Sequence, residues 1–294
     1  MPDVNPLDTY SRAAQRSAGE IIGAYSTSFG WACRTLPADT RRAIASIYAL
    51  VRVADETVDG AGAGAGLGPT GVRAELDRLE QETENALTTG YSTNLVVHAF
   101  AQTARRHAIG PDLTRPFFAS MRADITGQPG AASELDEYIH GSAEVVGLMC
   151  LRVFLSLPGT ARQRTAELEA GARRLGAAFQ KVNFLRDLSA DQQDLGRVYL
   201  PGTAAGEFTD EVKDAALEDI RADLSAASQT LPLLDPGARR AVGLAHALFS
   251  ALVDRLEAAP AATIARQRLR VGTAQKLLIA ARVLTAAARD RSRA

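Results

Sequence analysis

Ile47-Tyr48-Ala49-Leu50-Val51-Arg52-Val53-Ala54-Asp55-Glu56-Thr57-Val58-Asp59 is the stretch whose reading decides the fold. It reads as the C-terminal half of a helix. Asp39 follows Pro37 and makes a good N-cap, and Gly60 makes a good stop. Ile44, Tyr48, Val51, Asp55 and Asp59 recur at spacings of three or four, so they share one helix face. The apolar members point that face inward. It therefore carries two carboxylates toward the interior, where unpaired charge is very costly. Either cations compensate them, or the face lines a wet, functional cavity.

A second stripe answers the first. Gly176, Gln180, Asn183, Asp187 and Asp191 follow at four, three, four and four residues on a helix predicted over 165–191. Phe179 and Phe184 flank the stripe, and Arg186 stands beside Asp187. One Asp-x-x-x-Asp pair reads as a solvated helix face. Two such pairs, each embedded in an apolar stripe, read as a site. Hard oxygen ligands on rigid helices suit Mg²⁺, which keeps waters and completes its shell with substrate phosphates. Arg52 and Arg186 add bidentate phosphate contacts. The chemistry implied is departure of a diphosphate, with metal and arginine neutralising the charge that builds on it.

The rest of the chain reads as helix. Ala, Leu and Arg are abundant, β-branched runs are rare and aromatics are 5%, which predicts an all-α protein. Helices are expected over 8–24, 71–88, 93–108, from Pro116 to the Gly127–Gly130 break, 135–157, 209–229, 236–257 and 261–289. The two striped helices complete the set, and the chain has no strand pattern and no repeat. Tyr25-Ser26-Thr27-Ser28-Phe29 reads as a turn with a helix cap. Gly60 to Pro69, rich in Gly and Ala, reads as a flexible surface linker. Gly66-Leu67-Gly68-Pro69-Thr70-Gly71 has the Gly-x-Gly-x-x-Gly spacing, but a helix rather than a strand precedes it and no βαβ unit surrounds it, so it is no dinucleotide loop. No boundary divides the chain, and residues 1–294 are read as one domain.

A net charge of -1 leaves no global basic footprint, so no nucleic-acid partner is expected. Cys33 and Cys150 set no disulfide framework and suit a reducing cytosol. The polar N-terminus predicts no signal peptide, and no apolar run of ~18 residues predicts a spanning helix. Gly141 and Gly147, in an otherwise strong helix, cost ~1 kcal/mol each. They mark either close helix packing or room kept for something else.

The residues resemble the squalene/phytoene synthases, head-to-head prenyl synthases of the class I isoprenoid fold, from about Tyr25 to about residue 285. The likeness is nearest to the actinobacterial type of phytoene synthase. Tyr48 to Asp59 resembles that family's first aspartate-rich motif. Gly176 to Asp191, running on through Gly196-Arg197-Val198-Tyr199-Leu200-Pro201, resembles its second. Tyr138 to Gly147 resembles the helix that lines the prenyl tunnel, and Ser28-Phe29 the flap over the diphosphates. The resemblance implies a helical bundle around a deep apolar tunnel. It implies two or three Mg²⁺ (or Mn²⁺) held by Asp55, Glu56, Asp59, Asn183, Asp187 and Asp191 through diphosphate, and no nucleotide. Tyr25, Ser28, Phe29, Arg52, Tyr138, Ser142, Val146, Gly147, Gly176, Gln180, Arg186 and Arg197 become the substrate-binding set. Gly147 and Gly176 then leave width for a prenyl chain. Tyr48 and Tyr199 join the four aspartates as catalytic groups that shield carbocations from water.

The activity implied is condensation of two geranylgeranyl diphosphates to phytoene through a cyclopropyl diphosphate, as in carotenoid biosynthesis. The alternatives are a C30 synthase of the squalene type, prenyl transfer to an aromatic or other non-isoprenoid acceptor, and a non-catalytic helical assembly protein. The chain departs from the family where a His and a Lys commonly precede the Ser-Phe pair; here they are Tyr25 and Thr27. A common Tyr-Arg pair is Phe249-Ser250, and Glu56 replaces a frequent Asp. These changes bear on the acceptor rather than on ionisation. Arg266, Arg268, Arg270, Lys276 and Arg282 make the last helix basic. That suits peripheral contact with the inner membrane face by a cytoplasmic protein, an ordinary surface helix, or a late cation that reaches a diphosphate.

Overall fold

Every regular element among the described residues is helical. The structure, a computed structural model, describes residues 5–126, 132–190, 199 and 207–291. The elements are α1 (Pro6–Tyr25), α2 (Thr27–Arg34), α3 (Ala38–Asp59), α4 (Ala61–Gly64), α5 (Pro69–Thr89), α6 (Leu95–His107) and α7 (Pro111–Thr126). There follow α8 (Ala132–Ile139), a π-helical turn (His140–Glu144), α9 (Val145–Phe154), α10 (Thr165–Ala190), α11 (Asp210–Thr230), α12 (Pro236–Glu257), α13 (Ala261–Ile264) and α14 (Thr273–Arg291).

The helix of the opening stretch is the pillar. Its buried side, including Ile44, Ile47 and Leu50, enters the larger core with Leu76 of α5, Phe100 of α6, Phe117 and Phe118 of α7 and Met149 of α9. Small side chains let α1 lie close on α3 and α6: Ala14, Ala18, Ala49 and Ala99 form that seam. A second core joins α10, α11 and α12 through Leu185, Ile220 and Leu256. Phe29 of α2 packs against both cores. An ion network closes α10 onto α11: Asp223, 1% exposed, accepts from Arg174 and Lys181 at 2.8 Å each.

Several sequence expectations need correction. The stretch after Tyr25 does hold a cap, Ser26, whose hydroxyl accepts from the Phe29 amide, but a second helix follows it. The 39–59 helix begins at Ala38 with Pro37 at the cap position, and Asp39 instead pairs with Arg42. The Gly-rich stretch contains the helical turn α4. Gly62 is buried there, and a side chain on it would overlap the Thr57 carbonyl. Pro116 does not open α7 but sits inside it, five residues after Pro111. The 261–289 helix is split, because α13 ends at Ile264 and α14 begins at Thr273.

The 135–157 helix is interrupted by the π-turn. Tyr138 O, at the entry to that turn, accepts from Ser120 Oγ at 3.1 Å. Its glycines also have a different purpose from the one the resemblance implies. A Cβ on Gly147 would stand 2.6 Å from Ala172 O, and one on Gly176 2.6 Å from Ala143 O. The space beside both glycines is filled by a neighbouring helix backbone. They permit close packing of α9 and the π-turn on α10 and add no width for a chain.

Cys33 and Cys150 are free thiols. Burial pushes Cys33 up to about 11 and Cys150 up to about 12. Neither forms thiolate at ordinary pH, and thiolate is the reactive species. A disulfide reagent at pH 8 should therefore label neither thiol in the folded protein and both in denaturant. Rapid native labelling would contradict the burial.

Candidate active site

α3 walks out of the core toward its C-terminus. Ile44 is buried, Tyr48, Val51 and Asp55 are half-buried, and Asp59 is exposed. The acidic end of the face thus reaches the rim, whereas the sequence reading pointed both carboxylates inward. Cations do compensate there. Arg52 bonds Asp55 Oδ2 at 2.5 Å and also pairs with Glu56. Its guanidinium lies 4.5 Å from the Tyr25 ring centroid, which ties the start of the flap to α3.

On α10, Asp187 lies between two guanidiniums. Arg186 Nε donates to Asp187 Oδ1 at 2.9 Å, and Arg268 Nε stands 2.7 Å from the same oxygen. Of the late cations, Arg268 therefore reaches the second acidic stripe. Lys276 reaches the flap, with Nζ 3.0 Å from Thr27 Oγ1. The segment between Arg268 and Lys276 connects Asp187 to α2, and Tyr25, the last residue of α1 just before α2, stands against Arg52 beside the α3 acids. Asp191 and Arg197 lie outside the described residues.

Below this charged rim is an aromatic floor. Phe29 stands 6.3 Å from Tyr48, 5.9 Å from Phe179 and 5.9 Å from Phe249, centroid to centroid. Phe179 and Phe249 stack at 3.8 Å. The floor joins α2, α3, α10 and α12, and Asp55 and Asp187 each lie about two turns along their helix from the floor, ~10–12 Å. Burial raises the Tyr48 hydroxyl above its ordinary value, although Arg52 pulls the other way. Tyr48 therefore stays a neutral phenol. Apolar and aromatic surface of this kind tolerates a carbocation and excludes water.

Tyr138 and Tyr199 meet at Asp124, a residue that the sequence motifs do not single out. The buried carboxylate of Asp124 accepts from Tyr138 Oη at 2.8 Å and from Tyr199 Oη at 2.9 Å. The Tyr199 ring stacks on Phe184 at 4.5 Å. Burial, with the Asp124 charge second, holds Tyr138 well above the usual phenol range, so it donates and stays protonated. The buried position of Asp124 among Phe117, Phe118 and Met121 was the available signal. Ser28, Ser142 and Gln180 are half-buried on their helices. Val146 packs against the larger core.

Buried polar groups are nearly always hydrogen-bonded, so those without partners in a cleft are candidates for ligand contacts. Among the described residues five such side-chain atoms occur, and three belong to the predicted site: Arg52 Nε, Ser142 Oγ and Asn183 Oδ1. Asn183 Oδ1 is a hard oxygen one turn before Asp187 on the same stripe. Among the described residues no three His, Cys, Asp or Glu side chains form a metal centre by themselves. The donor set fits a hard divalent cation that takes part of its shell from phosphate oxygens.

The family model described as squalene/phytoene synthase matches residues 22–275. A chloroplastic phytoene synthase of Zea mays is 32% identical over 216 residues, covering 73% of this chain and 47% of that protein. The phytoene synthase of Mycobacterium tuberculosis is 32% identical over 190 residues, covering 64% of this chain and 57% of that protein. The chain thus spans about half the length of these curated relatives. A dehydrosqualene synthase crystallised with a ligand superposes with a TM-score of 0.77 at 22% identity, covering 96% of this chain and 98% of that one. That likeness gives the all-α bundle its place among the class I isoprenoid synthase folds.

Proposed function

The chain belongs to the squalene/phytoene synthase family, and from that premise we propose that it condenses two geranylgeranyl diphosphates head to head to phytoene. The observation that carries the reading is the charged rim. Asp187 is clasped by Arg186 and Arg268, Asp55 and Glu56 are held by Arg52, and an orphaned Asn183 oxygen lies within the same stripe. Two or three Mg²⁺, or Mn²⁺ in their place, would be held by Asp55, Glu56, Asp59, Asn183, Asp187 and Asp191. The metal supplies Lewis-acid neutralisation of diphosphate charge when bound.

The chain's own residues do the remaining work. Arg52, Arg186 and Arg268 exchange carboxylate oxygens for phosphate oxygens of the donor. The allylic C–O bond breaks, and its electron pair leaves with the diphosphate. The second molecule's double bond attacks the allylic carbon, and loss of one proton closes a cyclopropyl diphosphate. A second C–O bond breaks, the skeleton rearranges, and loss of another proton gives the central double bond. Phe29, Phe179, Phe249 and the neutral Tyr48 keep water from the cations. Without hydride delivery the product is phytoene and no nucleotide is required.

The flap favours a second prenyl diphosphate over an aromatic acceptor. Where the family commonly has a lysine this chain has Thr27, yet the Lys276 ammonium sits beside that hydroxyl. A cation at the flap suits an anionic acceptor. Cys33 and Cys150 are free thiols, which suits a reducing site of action. Among the described residues no helix is long and apolar enough to cross a membrane.

Purified protein with Mg²⁺ and geranylgeranyl diphosphate alone should yield a C40 hydrocarbon. A product only when an aromatic acceptor is added would overturn the reading. So would a C30 product from farnesyl diphosphate that requires NADPH.

A further inference from the structure

Among the described residues the outward face of α14 is exposed. Ile279, Ala280 and Val283 turn inward and pack near Trp31, Phe29 and Leu248. Leu277, Leu278 and Leu284 turn outward and are 55%, 52% and 44% exposed. Seven large hydrophobic side chains are exposed among the described residues, and these three share one helix. A fourth, Tyr25, stands at the flap against Arg52. Apolar exposure gathered on one element marks an interaction surface.

The charge around that face is one-sided. No acidic residue occurs from Ala258 to Arg289, and the last 34 residues hold eight of the chain's 33 Lys and Arg against one acid, Asp290. The remaining chain is correspondingly acidic, since the net charge is only -1. Arg266, Arg270 and Arg282 are exposed, and Arg282 stands one helical turn after Leu278 on α14. Exposed leucines with an exposed arginine on the same helix match the boundary of an anionic bilayer, where acyl chains take the apolar groups and headgroups take the charge. The position adds a third argument. α14 starts at the flap, because Lys276 bonds Thr27 two residues before Phe29. The leucines therefore sit on the outer side of the helix that covers the aromatic floor.

We propose that the outer face of α14 docks on an anionic lipid bilayer and holds the charged rim at the membrane surface. That this brings prenyl substrates to the site rests on the proposed function; the docking itself does not. Each leucine inserts to the depth of the acyl boundary, and Arg282 remains at headgroup level with its stem buried.

Co-sedimentation with vesicles tests this without substrate. The full chain should bind vesicles of equal phosphatidylglycerol and phosphatidylcholine, lose binding as salt rises, and bind pure phosphatidylcholine at least tenfold less. Leu277→Ser/Leu278→Ser/Leu284→Ser should lower binding at least tenfold with helical circular dichroism unchanged. Product formation from detergent-dispersed substrate should also be unchanged. Arg282→Glu, a single surface change that leaves the leucines in place, should lower binding to anionic vesicles several-fold. Undiminished binding by both variants would overturn the proposal. Equal binding to both vesicle types would do so too. A third contrary outcome is a wild-type dimer that ignores vesicles and becomes monomeric in the triple variant, since the face would then serve a second copy. An inactive protein that still binds anionic vesicles refutes the proposed reaction and leaves this surface standing.

Discussion

Asp187→Ala should lower turnover by about a thousandfold, the scale of losing one preorganised electrostatic group at a reacting centre. Its helical circular dichroism should match the wild type. Asp187 is where the two late observations meet, a guanidinium on either side and an orphaned oxygen one turn away. Its removal leaves Arg186 and Arg268 without their carboxylate and takes one hard oxygen from the donor set. The structural cost is small, because Arg268 is 45% exposed and such ion pairs contribute only ~1 kcal/mol or less. Asp219→Ala is the matched control. Asp219 also pairs with a cation of α10, Lys181, but on the α11 side, and its loss should leave turnover near wild type. Steady-state rates for both variants, with melting curves, decide the matter. An active Asp187→Ala would remove the second acidic stripe from the mechanism.

Gly141→Ala should be the most damaging single-methyl change in the described fold. The added Cβ would overlap both Ser120 Oγ and the backbone carbonyl of Pro116, and backbone does not yield as a flexible side chain does. Overpacking of this kind costs about 3 kcal/mol. For a chain of this size the midpoint should fall by roughly 6–12 °C. The Ser120–Tyr138 bond would be disturbed as well, and with it the Tyr138–Asp124 contact. Gly147→Ala should behave similarly to a lesser degree, its Cβ meeting Ala172 O at 2.6 Å. If instead these glycines left width for a prenyl chain, the substitutions would spare the melting temperature and shorten the accepted substrate. Differential scanning calorimetry beside product chain-length analysis separates the two.

The fold was largely legible because its helices are long, periodic and punctuated. α5, α6, α11 and α12 begin and end within a few residues of expectation, since Pro, Asn, Thr and Asp at their starts act locally. The acidic stripes were legible for a related reason. Carboxylates at helical spacing in an apolar pattern contradict a plain core. What could not be read depends on partners distant in sequence. The π-turn arises where Gly141 presses on α7, and periodicity along one helix carries no trace of its neighbour. The same holds for Gly147 and Gly176, whose role is set by the backbones of α10 and of the π-turn. Asp124 offered only a weak signal, since one buried acid on an apolar helix needs Tyr138 and Tyr199, 14 and 75 residues away, to be explained. The assignment of Arg268 to Asp187 and of Lys276 to Thr27 likewise required the break between α13 and α14, which uniform helical composition conceals.

In the proposed reaction the two acidic stripes and their arginines form one site that ionises two prenyl diphosphates in succession. The stoichiometry of diphosphate release tests it most directly. With geranylgeranyl diphosphate as sole substrate, the protein should release two diphosphates for each C40 hydrocarbon formed, with no other co-substrate consumed. One diphosphate released for each prenyl group transferred, and only in the presence of a non-isoprenoid acceptor, would contradict it.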